Sequence, residues 1–118
     1  MPSPASDSAP ETALGLLREI VWQARAKDQG EIDTPGTVAH ELYIRSCAAL
    51  VADDEAACRD ALAAVVAAQK KRDQERATDP LYAAAYRRPA AERWSPAAYV
   101  LWTRALRLLG ETEEDTTP

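Results

Sequence analysis

The sequence predicts an all-α protein, a compact bundle of four to five helices with disordered N- and C-terminal tails, and three observations carry that expectation. Apolar residues recur at helical spacing through most of the chain, as in Leu14, Leu17, Val21 and Ala24. No stretch alternates apolar and polar residues with period two, and the β-branched residues are scattered, so a sheet has no strands to be built from. Three breaks place a capping residue directly before proline, at Thr34-Pro35, Asp79-Pro80 and Ser95-Pro96, the pattern of an N-cap followed by the first helical position. At 118 residues the chain suits one domain, and 47% hydrophobic with 28% charged residues is a globular composition.

The expected organisation is a disordered lead-in at 1–8, a single helical domain at 9–110, and an acidic disordered tail at 111–118. The first helix is expected over 9–27, opened by a capping box of Ser8 and Glu11 and closed before Gly30, with Leu16 and Ile20 beside its main stripe and Trp22 widening it. The second, over 35–52, puts Val38 and Leu42 near its start and should bury Tyr43, Ile44, Cys47, Leu50 and Val51 along one face. A third begins after Asp53 with acids in its first turn and Lys70, Lys71, Arg72 and Arg76 near its end, charges that oppose the helix macrodipole at both ends. Its apolar positions are mostly alanine, which lets neighbours approach closely, so it belongs at the centre of the bundle with its polar last turns protruding. A short fourth helix over 80–86 leads through Pro89 to a fifth over 96–109, where Trp94 and Tyr99 are placed to form a hydrophobic staple.

Little in the sequence points to catalysis. The four glycines are isolated, so no phosphate-cradling loop exists, and Ser46 lacks the glycine-flanked turn of an activated serine. His40, the single histidine, reads as a structural, hydrogen-bonded side chain rather than a general base. Cys47 and Cys58 flank the turn at Ala52 and Asp53 symmetrically, so a disulfide is geometrically conceivable if both point inward; the favoured reading is two small buried thiols in a reducing compartment, and a zinc site lacks further ligands. The acids Asp53, Asp54, Glu55 and Asp60 read as helix capping rather than a metal site. An enzyme is not expected, and neither is a cofactor, a metal or a small-molecule substrate.

Charge is more informative. Residues 1–68 carry net −6, residues 69–110 net +5 and residues 111–118 net −4. The basic third also holds aromatic residues at close spacing. Lys70, Lys71, Arg72, Arg76, Tyr82, Tyr86, Arg87, Arg88, Arg93 and Trp94 are therefore the candidate partner-binding residues, because Tyr, Trp and Arg are the usual anchors of protein interfaces. The expected function is a non-catalytic helical protein–protein interaction module, an adaptor or accessory subunit, whose partner is an acidic protein surface or a second copy of the chain. The alternative is a nucleic-acid-associated accessory subunit using the same side chains on phosphates and bases, which the overall net charge of −5 disfavours. Arginine outnumbers lysine eleven to three while Asn and Phe are absent, a bias of GC-rich, bacterial coding that discounts arginine as a binding signal. With no signal-peptide pattern and no long apolar run, a cytoplasmic location without membrane contact is the expectation.

Overall fold

The computed structural model describes residues 11–27 and 29–111. The expected lead-in at 1–8 and all of the acidic tail after Glu111 lie outside them. Among the described residues the fold is all-α with no strand, built of α1 (Ala13–Lys27), α2 (Gln29–Ile32), α3 (Val38–Ala52), α4 (Glu55–Thr78), α5 (Ala83–Tyr86), α6 (Ala90–Arg93) and α7 (Pro96–Leu109). Four of these are long enough to build a bundle. The other three are four-residue helices that shape the connections.

The starts of helices differ from expectation where a better cap lies downstream. α1 begins at Ala13 rather than residue 9, because Thr12 Oγ1 accepts the Gly15 N–H at 3.0 Å. Glu11 is outside the helix and turns to Arg104 instead. A second cap comes from far along the chain: Glu55 Oε2 and Oε1 accept the N–H groups of Ala13 and Leu14 at 2.6 and 3.0 Å. A carboxylate at the positive end of α1 thus ties its start to the start of α4. α3 begins at Val38, not at Pro35, since Gly36 takes a φ of +94° that a helix cannot contain. Thr37 then caps it, accepting the His40 N–H at 3.0 Å while its hydroxyl donates to the carbonyls of Glu31 and Thr34. Gly30, expected to end the first helix, lies inside α2.

The expected hairpin of the second and third helices is present. Asp53 ends α3 in the left-handed region at φ +56°, and Asp54 caps α4 by accepting from Ala56 and Ala57. α4, 24 residues long, is central. Its Cys58, Ala61, Leu62 and Val66 are buried against Leu16 and Leu17 of α1, Ala49 of α3, and Ala105 and Leu106 of α7. Each buried leucine contributes about 1.5–3 kcal/mol, and the alanines between them let the helices close on these few large side chains. Two ion-pair positions tie the outer helices together. Arg104 of α7 grips both Glu11 and Glu19, its Nη2 donating to Glu11 Oε2 at 2.5 Å and to Glu19 Oε2 at 2.7 Å. Those bonds raise the Arg104 pKa further above its ordinary value and lower that of Glu19.

Several apolar residues do not reach the core. Trp22 is 73% exposed rather than part of the buried stripe of α1, and Val38, Ile44 and Val51 of α3 face outward. Helical spacing groups residues by face, but α3 buries only the face carrying Ser46 and Ala49, against which α1 and α4 pack. At the far end Ser95 caps α7 as expected, accepting the Ala98 N–H at 3.3 Å, and Gly110 closes it at φ +77°. Trp94 packs edge-to-face on Trp102, ring centres 5.1 Å apart. The last turns of α4 do not protrude as expected: residues 79–94 fold back along them.

Candidate interaction site at the end of α4

The fold-back begins at Asp79, whose backbone N–H closes α4 on the Arg76 carbonyl. Its carboxylate accepts the Leu81 N–H at 2.9 Å, and its carbonyl accepts from Tyr82 and Ala83. Pro80 and Leu81 therefore form a turn, and the helix expected over 80–86 shrinks to α5. Arg88 is followed by Pro89, which cannot continue a helix and starts α6 instead.

This hook is fastened to α4 by arginines lying on tyrosines. The Arg76 guanidinium sits 4.9 Å from the Tyr82 ring centre and 5.7 Å from that of Tyr86, and its Nη1 donates to the Tyr86 hydroxyl oxygen at 2.9 Å. The two rings meet edge-to-face at 6.2 Å. Arg93 covers the other side of the cluster, 4.7 Å from the Tyr86 centre, while its Nη2 pairs with Asp73 at 3.8 Å and its Nε donates to the Arg88 carbonyl at 2.9 Å. The bond to Tyr86 raises the Arg76 pKa above its ordinary value.

The ten expected partner-binding residues are thus sorted into different surroundings. Arg76 bonds to Tyr86, and Arg93 stacks on Tyr86 while its polar groups go to Asp73 and the Arg88 carbonyl. Lys70 bonds to Glu111, and Arg72 faces Glu31 of α2 at 3.6 Å. Trp94 lies with Trp102 beside Ile20 and Val66, away from the hook's tip. Lys71, Arg87 and Arg88 remain exposed; Arg88 has Glu92 one turn on, and Lys71 and Arg87 have no ion-pair partner among the described residues. At the tip Tyr82 is partly uncovered, and Leu81 is 85% exposed. Leu81 was not among the expected residues. Its signal was faint: an apolar side chain directly after a capping Asp-Pro pair, outside any helical stripe.

A groove of about 720 Å³ opens beside this site, between α1, α2, α3 and α4. Ile20, Val21, Leu42 and Val65 line it, Ser46 lies in its floor at 2% exposure, and the charged groups of α4 from Lys71 to Arg76 border one end. Sequence reading had no direct sight of this space, though the alanines at positions 24, 39 and 68, which help to leave it open, are visible in hindsight.

His40 Nδ1 lies 2.7 Å from the Ile32 carbonyl and helps to pin the loop after α2, consistent with a structural role. Cys47 and Cys58 are free thiols; Cys47 is half-buried rather than buried, and burial, then the acids at the start of α4, pushes the Cys58 thiol up. Among the described residues no helix is long and apolar enough to cross a membrane. Comparison of the chain with protein-family models, with curated proteins and with solved structures gives no match.

Proposed function

We propose that this chain is a non-catalytic helical interaction module, an adaptor or accessory subunit of the bacterial cytoplasm, and that it docks on an acidic protein surface through the hook formed by residues 80–88. The observation that carries the reading is the hook's tip, where exposed Leu81 and partly exposed Tyr82 stand beside Arg87 and Arg88. An apolar and aromatic anchor ringed by cations is the composition of an interface hot spot. The tip is also held in place before any partner arrives, because Arg76 is bonded to Tyr86 and stacked on Tyr82, so less ordering entropy is lost on docking. In this reading Arg76, Tyr86 and Arg93 brace the site, while Leu81, Tyr82, Arg87 and Arg88 touch the partner. Stacking on nucleic-acid bases is the weaker use of these groups, since the arginine best placed for it already lies on tyrosine. The acidic residues 1–68 of a second copy, net −6, offer one surface of the required charge.

The test is the double substitution Arg87→Glu and Arg88→Glu, which reverses two exposed charges outside the core. Affinity capture from an extract of the source organism, with and without nuclease, is followed by calorimetry on the protein recovered. Wild type should retain a defined partner irrespective of nuclease, and the variant should lose at least about tenfold in affinity while keeping its helical circular dichroism. Equal binding by the variant moves the interface elsewhere. Capture abolished by nuclease instead indicates a nucleic-acid partner.

A further inference from the structure

We propose that the groove between α1, α3 and α4 is a second binding site, for a medium-chain carboxylate whose hydrocarbon tail lies along the groove and whose head meets Lys71 and Arg72. Three properties of the groove select that ligand, and one of them, the charge at its mouth, shares Arg76 with the hook.

The first is size. A volume of about 720 Å³ is in the range of small-molecule pockets. The second is the distribution of polarity. Ile20, Val21, Leu42 and Val65 make walls suited to a hydrocarbon chain, and the charged side chains stand together where α4 passes α2. From Val65, on the groove wall, to Arg72, at the charged end, α4 advances seven residues, which is about 10.5 Å. An extended chain gains about 1.2 Å per bond, so about nine bonds span that distance. The tail is therefore of eight to ten carbons by order of magnitude, on the same geometry.

The third is the charge at the mouth. Among the described residues Lys71, Arg72 and Arg76 stand against Glu31 and Glu75 there, three cations against two carboxylates, which leaves one positive charge over. Arg72 is engaged by Glu31 only at 3.6 Å with both side chains exposed, and Lys71 has no ion-pair partner among the described residues. A head carrying a single negative charge balances the mouth. A doubly charged phosphate overshoots it, and a cationic or neutral head leaves the excess in place.

The probe is decanoate, at concentrations well below those at which it forms micelles, titrated into the full chain by calorimetry. Saturable one-to-one binding is expected, and decanol and decylamine should bind at least about tenfold more weakly. Lys71→Glu, on an exposed side chain that the fold does not use, should weaken decanoate about tenfold and leave decanol unchanged. Ala68→Leu, which fills the groove, should abolish binding in a protein that keeps its helical circular dichroism. Absence of saturable decanoate binding overturns the proposal. So does equal binding of all three probes, which would mark simple greasiness, or decanoate affinity unaltered by Lys71→Glu. Should Ala68→Leu not fold, the Lys71→Glu result alone decides.

Discussion

Arg104 shows how much one side chain does at the surface of this fold. Its guanidinium makes four hydrogen bonds, two to Glu11, before α1, and two to Glu19, within it, and the pair of carboxylates fixes α7 across the first two turns of α1. Because all three side chains keep some exposure, replacing Arg104 by methionine should cost only about 1 kcal/mol near neutral pH, read from the denaturation midpoint. The pH dependence is the sharper test. Glu19 is held below its ordinary pKa in the folded protein, so its contribution is present above the unfolded value and is lost as pH falls through the folded one. Wild type should lose stability more steeply than Arg104→Met as pH drops below about 4.5, and equal slopes would remove Glu19 from the account. Nothing in the local sequence announced this clamp. Glu11 looked like half of a capping box, and its actual partner lies 93 residues away.

Among the elements, capping chemistry was the most legible feature and its exact placement the least. The Ser95-Pro96 start and the Gly110 stop of α7 stand where the sequence puts them, as does the turn at Asp53 and Asp54. Thr34-Pro35 and Asp79-Pro80 instead became turns that precede the helix. In both cases the signal was correct about a break and wrong about which residue follows it, since Thr37 offers a second cap and Asp79 closes an Asx-type turn on Leu81. The hook of α5 and α6 depends on contacts rather than on propensity, because helices of four residues cannot persist alone. Arg76→Ala removes the bond to Tyr86 and the stacking on both rings. Amide exchange in residues 82–88 should then accelerate at least about tenfold, while that of 58–66 in α4 stays as in wild type, which would mark local rather than global opening. Uniform acceleration would show that the hook supports the whole domain.

For the molecule as a whole, stability rests on a small number of large side chains around α4. Leu16, Leu17, Leu62 and Val66 are fully or almost fully buried, and much of the remaining core is alanine. With so few large groups, each is costly to remove. Leu62→Ala should destabilise by about 2–5 kcal/mol, a large share of the total for a domain of this size, as measured by the shift in denaturant midpoint. A cost below about 1 kcal/mol would mean that α4 is not the hub. The alanine-rich helix at the centre was legible from composition alone, for small side chains are useful only where helices approach closely. The exposure of Trp22, Ile44 and Val51 was not, because periodicity says which residues share a face and not which face is covered.

The sequence by itself determined the class of fold, several of its breaks and the separation of charge, since each follows from local preferences: proline and glycine geometry, cap chemistry, the absence of two-residue alternation. Tertiary structure decided which of the basic and aromatic residues are available. Arg76 is engaged by Tyr86, Arg93 by Asp73 and the Tyr86 ring, Lys70 by Glu111, and Leu81, Tyr82, Arg87 and Arg88 are left at the tip. It also decided that α1, α3 and α4 meet with a groove between them. Both outcomes depend on where a side chain lies relative to partners distant in sequence, and spacing along the chain carries no record of that distance.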